Sequence, residues 1–164
     1  MDAMTSATWF FLRGMYFALV SHKSTKIAEL IEPLRGQDLD PHYLGFFECF
    51  NRQLFFEAHE VLEAVWLPAR GGPKDLFYKG LIQLAGAFVH VQKNRRGPAL
   101  ALLKLADANL AKQGLVFERF EVAQARALIH AWLSRLEKPN PDGASLRLDP
   151  APQLSLAGSH QSSA

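Results

Sequence analysis

Apolar residues recur at helical spacing through most of the chain between residues 41 and 137, and their arcs set out the elements. Tyr43, Leu44, Phe46, Phe47 and Phe50 mark a helix over 41–52, with Asp40 placed to cap it and Pro41 at its first position. Leu54 to Leu67 reads as a second helix that stops at Pro68, and Pro68 to Pro73, with Gly71 and Gly72, as a loop. A long apolar helix spans roughly 73–93 and ends at Asn94. Pro98 stands early in the next, 98–112, and Gly114 lies just past its end. Phe120, Ala127, Leu128, Ala131, Trp132 and Leu136 mark a last helix over about 118–137, and Ser24 to Leu34 can form a short amphipathic one through Ile27, Leu30, Ile31 and Leu34. No window alternates with a period of two between turn signals, so no sheet is expected. The fold class expected is all-α: a compact bundle-like array of about five helices around a central apolar helix, in a domain over 40–138.

The two ends break this pattern. Residues 1–39 make a poorly defined N-terminal extension. Its apolar runs, Trp9 to Leu12 and Met15 to Val20, are split by Arg13. No basic residue precedes them, no Ala-x-Ala-type cleavage site follows, and about twelve residues are too few to span a bilayer. Neither a signal peptide nor a membrane helix is expected. Met15 offers an alternative start that would make residues 1–14 an artefact; a genuine segment is expected to pack on the core or mediate oligomerisation. Residues 139–164 are rich in Pro, Ser, Gly, Ala and Gln, with too little apolar surface to offset ordering entropy, and are expected to form a disordered tail.

Composition narrows the function classes. A length of 164 residues suits one domain with its own core. A net charge of +2 gives no electrostatic case for nucleic acid, which wants a concentrated basic face. The one dense basic run, Lys93 to Arg96, sits where cations complement a helix C-terminus. The single cysteine, Cys49, cannot form an internal disulfide, so a reducing cytoplasm is expected; among Phe46, Phe47 and Phe50 it reads as an inert buried thiol.

Polar residues within the helices are the most informative. Over 54–66, Leu54, Phe55, Ala58, Val61, Leu62, Val65 and Trp66 form one apolar arc at about 100° per residue. His59 falls at its edge and Glu63 one turn on, framed by aromatics; Glu60 is intermediate and Glu57 points to solvent. Trp66 is expected to be a core anchor covering the polar pair. The next helix is apolar nearly all round, as a central helix is. Its polar residues Lys79, Gln83, His90 and Asn94 nonetheless fall on one stripe, bordered by Gly80, Gly86 and Ala87. Buried polar groups need partners, and the simplest match sets this stripe against His59 and Glu63 across a short antiparallel loop.

These residues also carry a resemblance. Phe50-Asn51, the run Phe56 to Trp66, Lys79 to Ala85, His90, Asn94 and Gly97-Pro98-Ala99 resemble the bacterial and archaeal family called domain of unknown function 309. Its motif is a histidine, three residues, a glutamate, two residues and a tryptophan, with a later histidine. The likeness covers about residues 42–110. It implies a compact helical fold, and it carries over His59, Glu63, Trp66 and His90 as the motif residues, without an activity. The extra Pro98 departs from the usual Gly-Ala pattern and touches only a helix start.

Three functional readings follow. His59-Glu60-x-x-Glu63 is not a zincin motif, which needs a second histidine at the last position, and no Glu-x-x-His pair of the di-metal bundles occurs. The favoured reading is a structural polar cluster of His59, Glu63, Gln83 and His90 that fixes helix register. The second is a metal-dependent enzyme, such as a hydrolase. There His59, Glu63 and His90 would hold Zn²⁺ or Fe²⁺ with a water, and Glu60 would act as base. The third is a binding module whose aromatic-lined groove takes a small ligand or peptide. No cofactor is favoured, and the partner is left open, a second copy of the chain included.

Overall fold

Asp40 and Pro41 start the first long helix as their chemistry dictates: the Asp40 carboxylate accepts the His42 backbone N–H at 2.8 Å, and Pro41 fills the first helical position. A computed structural model describes residues 26–138 and 145–157. The expectations for the apolar N-terminal runs and the Met15 start lie outside the described residues. Residues 26–31 are helical and lead into a 3₁₀ turn at Glu32–Leu34. Five α-helices then follow among the described residues: α1 (Pro41–Asn51), α2 (Phe55–Ala69), α3 (Asp75–Gln92), α4 (Arg96–Leu110) and α5 (Val122–Glu137). Each packs on the next, and α3 lies between α2 and α4. The fold is all-α, with α3 as the expected central helix: ten of its residues, from Phe77 to Val91, are buried.

Local chemistry explains where boundaries depart from expectation. Pro68 does not stop α2 but sits in its last turn, and the helix ends one residue later at Ala69. Proline removes one intrahelical donor, which a helix at its very end tolerates better than in its interior. Pro98 likewise occupies the first turn of α4, where N–H groups have no helical partner. The last helix begins at Val122, not 118. The preceding residues form a hairpin, β1 (Val116–Phe117) and β2 (Phe120–Glu121), with Phe117 opposite Phe120. Two-residue strands are too short for a period of two to register in sequence.

The core is an aromatic chain. Phe88 lies 5.1 Å from Trp132, 5.2 Å from Phe55 and 5.6 Å from Phe50, all centroid distances. Phe46 continues it at 5.7 Å from Phe50, and Phe47 passes it to Phe120 at 5.3 Å and Tyr43 at 5.1 Å. Tyr43 then meets Tyr78 at 5.9 Å. These separations are those of favourable edge-to-face and offset pairs. Gly80 sets the closest helix crossing: a Cβ there would stand 2.8 Å from Leu110 Cγ, so its absence lets α3 and α4 approach.

The C-terminal segment corrects another expectation. Residues 145–157, read as part of a disordered tail, lie on the domain. Leu154 is only 2% exposed, and its backbone exchanges two 2.8 Å hydrogen bonds with the Asn51 side chain. Gln124 bonds Ser155 twice, Arg135 donates to the Asp149 carbonyl, and Leu156 bridges Phe120. Few apolar residues suffice because side chains of the helices satisfy the strand-like backbone.

Candidate functional site

The motif residues fall into separate places. Trp66 is buried, as expected of a core anchor, and its indole N–H donates to Asp75 Oδ1 at 2.7 Å. The other Asp75 oxygen accepts the Gly71 N–H at 2.9 Å, so one carboxylate closes the loop between α2 and α3. These two N–H groups, Gly71 first, hold the Asp75 carboxyl below its usual range. The Arg70 guanidinium covers the Trp66 ring at 5.2 Å. His59, Glu60 and Glu63 are half-buried on α2, and none of them is without a partner. Asn94, exposed at the end of α3 with φ 55°, accepts the Leu146 N–H at 2.9 Å and so anchors the C-terminal segment.

Within the α3 stripe, Gln83 and the bordering glycines meet α4. Gln83 Oε1 accepts the Asn109 amide at 2.8 Å, Gly80 abuts Leu110, and Gly86 abuts Leu102. Asn109 is the buried partner of Gln83, and it comes from a helix whose polar residue was not singled out. Lys79 is half-buried and bears on Asp75 electrostatically. His90 is half-buried, and its Nδ1 is enclosed without a hydrogen bond among the described residues. Burial, then the nearby Arg95 and Lys93, depress its pKa. Among the described residues no three His, Cys, Asp or Glu side chains are grouped to hold a metal ion. Cys49 is fully buried, and burial pushes its thiol up to about 11, as an inert thiol requires.

A different place has the shape of a site. A cleft of about 360 Å³ opens where the start of α1, the end of α2, the start of α3 and the hairpin tip meet. That volume is within the range of small-ligand pockets. Leu39, Val65 and Ala69 give it an apolar wall, and Asp38, Asp40, Tyr43, Lys74, Tyr78 and Glu118 its polar groups. Most of these are engaged. Lys74 Nζ meets Glu118 Oε1 at 2.6 Å, the Tyr43 hydroxyl donates to the Glu118 carbonyl at 3.0 Å, and Arg119 reaches Asp38 at 3.7 Å. Tyr78 differs. It is 3% exposed, it lines the cleft, and its hydroxyl makes no hydrogen bond among the described residues. Burial raises the pKa of both phenols, so each keeps its proton at neutral pH.

Strain marks the rim of the cleft. Glu118 and Arg119 have φ of 48° and 59°, the left-handed pair that a two-residue hairpin loop demands and that Asn-Gly usually fills. Non-glycine residues held there cost on the order of 1 kcal/mol each. The bonds from Tyr43 and Lys74, and the Ala157 N–H to the Arg119 carbonyl at 2.7 Å, hold the turn in place. Strained backbone held by polar contacts beside a concave site is a common feature of functional regions.

A second cleft, about 320 Å³, lies between the end of α4 and α5. Its charged groups Arg126 and His130 are both committed to Asp107, at 2.8 and 3.1 Å. Sequence reasoning missed the first cleft because Tyr43 and Tyr78 count as apolar in a helical pattern, and Glu118 was placed in a helix. The signal that could have found it is two tyrosines within aromatic arcs, each with a hydroxyl that needs a destination.

Comparison with known proteins agrees with the resemblance read from the motif: the family described as Domain of unknown function (DUF309) matches residues 43–102. Tyr43, Lys74 and Tyr78 lie inside that span, while Asp38, Asp40 and Glu118 lie outside it. No curated protein and no solved structure matches the chain. Among the described residues no helix is long and apolar enough to cross a membrane.

Proposed function

We propose that this chain, which through residues 43–102 belongs to the domain of unknown function 309 family, is a small-ligand binding module that uses the cleft beneath the hairpin tip. One observation carries the reading: a nearly buried tyrosine, Tyr78, lines a concave, half-apolar space, and its hydroxyl makes no hydrogen bond among the described residues. A buried polar group without a partner is costly, and a hydroxyl that opens onto a cleft finds its partner in water or a ligand. The apolar wall supplies area for burial, and the few polar groups supply orientation.

On this reading the motif polar residues of α2 and α3 serve the scaffold. Support comes from the Gln83–Asn109 bond, the Trp66–Asp75 bond and the Asn94 anchor, each of which joins one element to another.

The test is a fragment screen against the full chain, read by thermal shift. A ligand present at about 100 times its Kd stabilises by about 2.7 kcal/mol. Hits are expected whose stabilisation falls in Tyr78→Phe and in Val65→Ala, which strips the apolar wall. If the hits stabilise wild type and both variants alike, the cleft is not the binding site.

A further inference from the structure

Resting on the cleft reading above, we infer that its ligand is a protonated amine carried on a small apolar or aromatic body, held by Asp40 and the Tyr78 hydroxyl. Three carboxylates line the cleft, from Asp38, Asp40 and Glu118, against the single ammonium of Lys74. Lys74 is already taken by Glu118 at 2.6 Å, which removes it as an anion receptor and cancels one of the negative charges. Arg119 approaches Asp38 at 3.7 Å from outside the lining, which offsets a second. Asp40 remains. Its Oδ1 caps α1 through the His42 N–H and lies 3.3 Å from His42 Nδ1, and no lysine or arginine pairs with it. A ligand that carries a positive charge completes this balance; a carboxylate or phosphate would meet uncompensated negative charge.

An acidic lining alone would not define a ligand. Tyr78 supplies the independent indication, as a residue 97% enclosed whose hydroxyl lacks a hydrogen-bond partner among the described residues and which lines the same space (3% exposed). A phenol oxygen accepts from an ammonium while donating elsewhere. Tyr43 lines the same cleft, and its hydroxyl is already spent on the Glu118 carbonyl, which leaves Tyr78 as the phenol open to a ligand. Leu39, Val65 and Ala69 form the surface on which the ligand body would rest. The ammonium thus meets a carboxylate and a phenol oxygen, and the body meets aliphatic carbon.

Three probes that share one body and differ in charge test this on the full chain by calorimetric titration: 2-phenylethylamine, 2-phenylethanol and 3-phenylpropionate. Asp40→Asn is the decisive variant, because asparagine keeps the helix cap and removes the charge. The amine is expected to bind more tightly than the alcohol and the carboxylate, and to weaken about tenfold in Asp40→Asn, as a charged hydrogen bond requires. Binding of the carboxylate as tight as that of the amine, or amine affinity unchanged in Asp40→Asn, overturns the charge assignment. Probes that bind regardless of charge and weaken in Tyr78→Phe leave the cleft reading standing without the amine. If no probe binds wild type, the amine inference falls; if the fragment screen also finds nothing, the cleft reading falls with it.

Discussion

At Phe88 the aromatic core is closed: Phe50, Phe55 and Trp132 pack on a ring with no exposure, and the nearby Gln83 amide is matched by Asn109 across α3 and α4. At Tyr78 the same aromatic chain reaches a cleft, where a hydroxyl is left over and a hairpin turn is held in a strained form. Residue type hardly distinguishes the two, since both are rings on α3 in one contiguous core. What differs is the fate of polar groups. The closed end uses Gln83 and Asn109 to join helices, and the open end leaves the Tyr78 hydroxyl for something that is not protein. Stability and binding should therefore separate when the two ends are altered.

Substitutions at the closed end give the largest expected effect. Phe88→Ala removes a ring at the junction of α1, α2, α3 and α5 and should cost about 3–5 kcal/mol in denaturant unfolding. A loss under about 1 kcal/mol would mean that the junction repacks and is not the centre of the fold. Leu154→Ala comes next, at about 2–3 kcal/mol, because Leu154 seats residues 145–157 on the domain. An unchanged unfolding midpoint would return that segment to the status of a loose tail. Gln83→Leu strips the buried Asn109 amide of its acceptor and should cost about 1–3 kcal/mol, while Gln83→Leu with Asn109→Leu should recover most of it. Failure of the double variant to recover would show that the pair does more than satisfy itself.

His90 gives a smaller, pH-dependent effect. Burial first, then Arg95 and Lys93, disfavour its imidazolium, so the unfolded chain takes up the proton more readily. Its contribution is then complete above the ordinary histidine value of about 6.5 and is lost as pH falls below it, down to the depressed folded value. Unfolding midpoints at about pH 7.5 and about pH 5.5 should differ more in wild type than in His90→Gln. Equal differences would assign the acid sensitivity to other groups. Smallest of all in stability is Tyr78→Phe, expected within about 0.5 kcal/mol of wild type because no protein hydrogen bond is lost. The same change should weaken ligand binding. A large loss of stability would show that the hydroxyl serves the fold, and would erase the contrast between the two ends.

Much of the scaffold was legible from residue order. The helical arcs, the Asp40-Pro41 start and the all-round apolar character of α3 rest on periodicity and capping, which are local. Trp66 as a core anchor was legible for the same reason. The partner of Gln83 was not, because a wheel says which residues share a face but not which neighbour that face meets. Asn109, on α4, stood in a pattern where nothing singled it out. The hairpin was hidden because two-residue strands leave no period. Residues 145–157 were hidden because their order comes from helix side chains such as Asn51, Asn94 and Gln124, not from their own composition. The cleft joins residues 38 to 118 of the chain, so no local signal could assemble it.

Resonance mapping of the full chain during titration with 2-phenylethylamine tests the central claim most directly. The account predicts saturable shifts at Tyr43, Lys74, Tyr78 and Glu118, with those around Phe88 unmoved. Shifts confined to Leu115, Arg126 and His130 at the other cleft, or to His59 and Glu63 on α2, would contradict it.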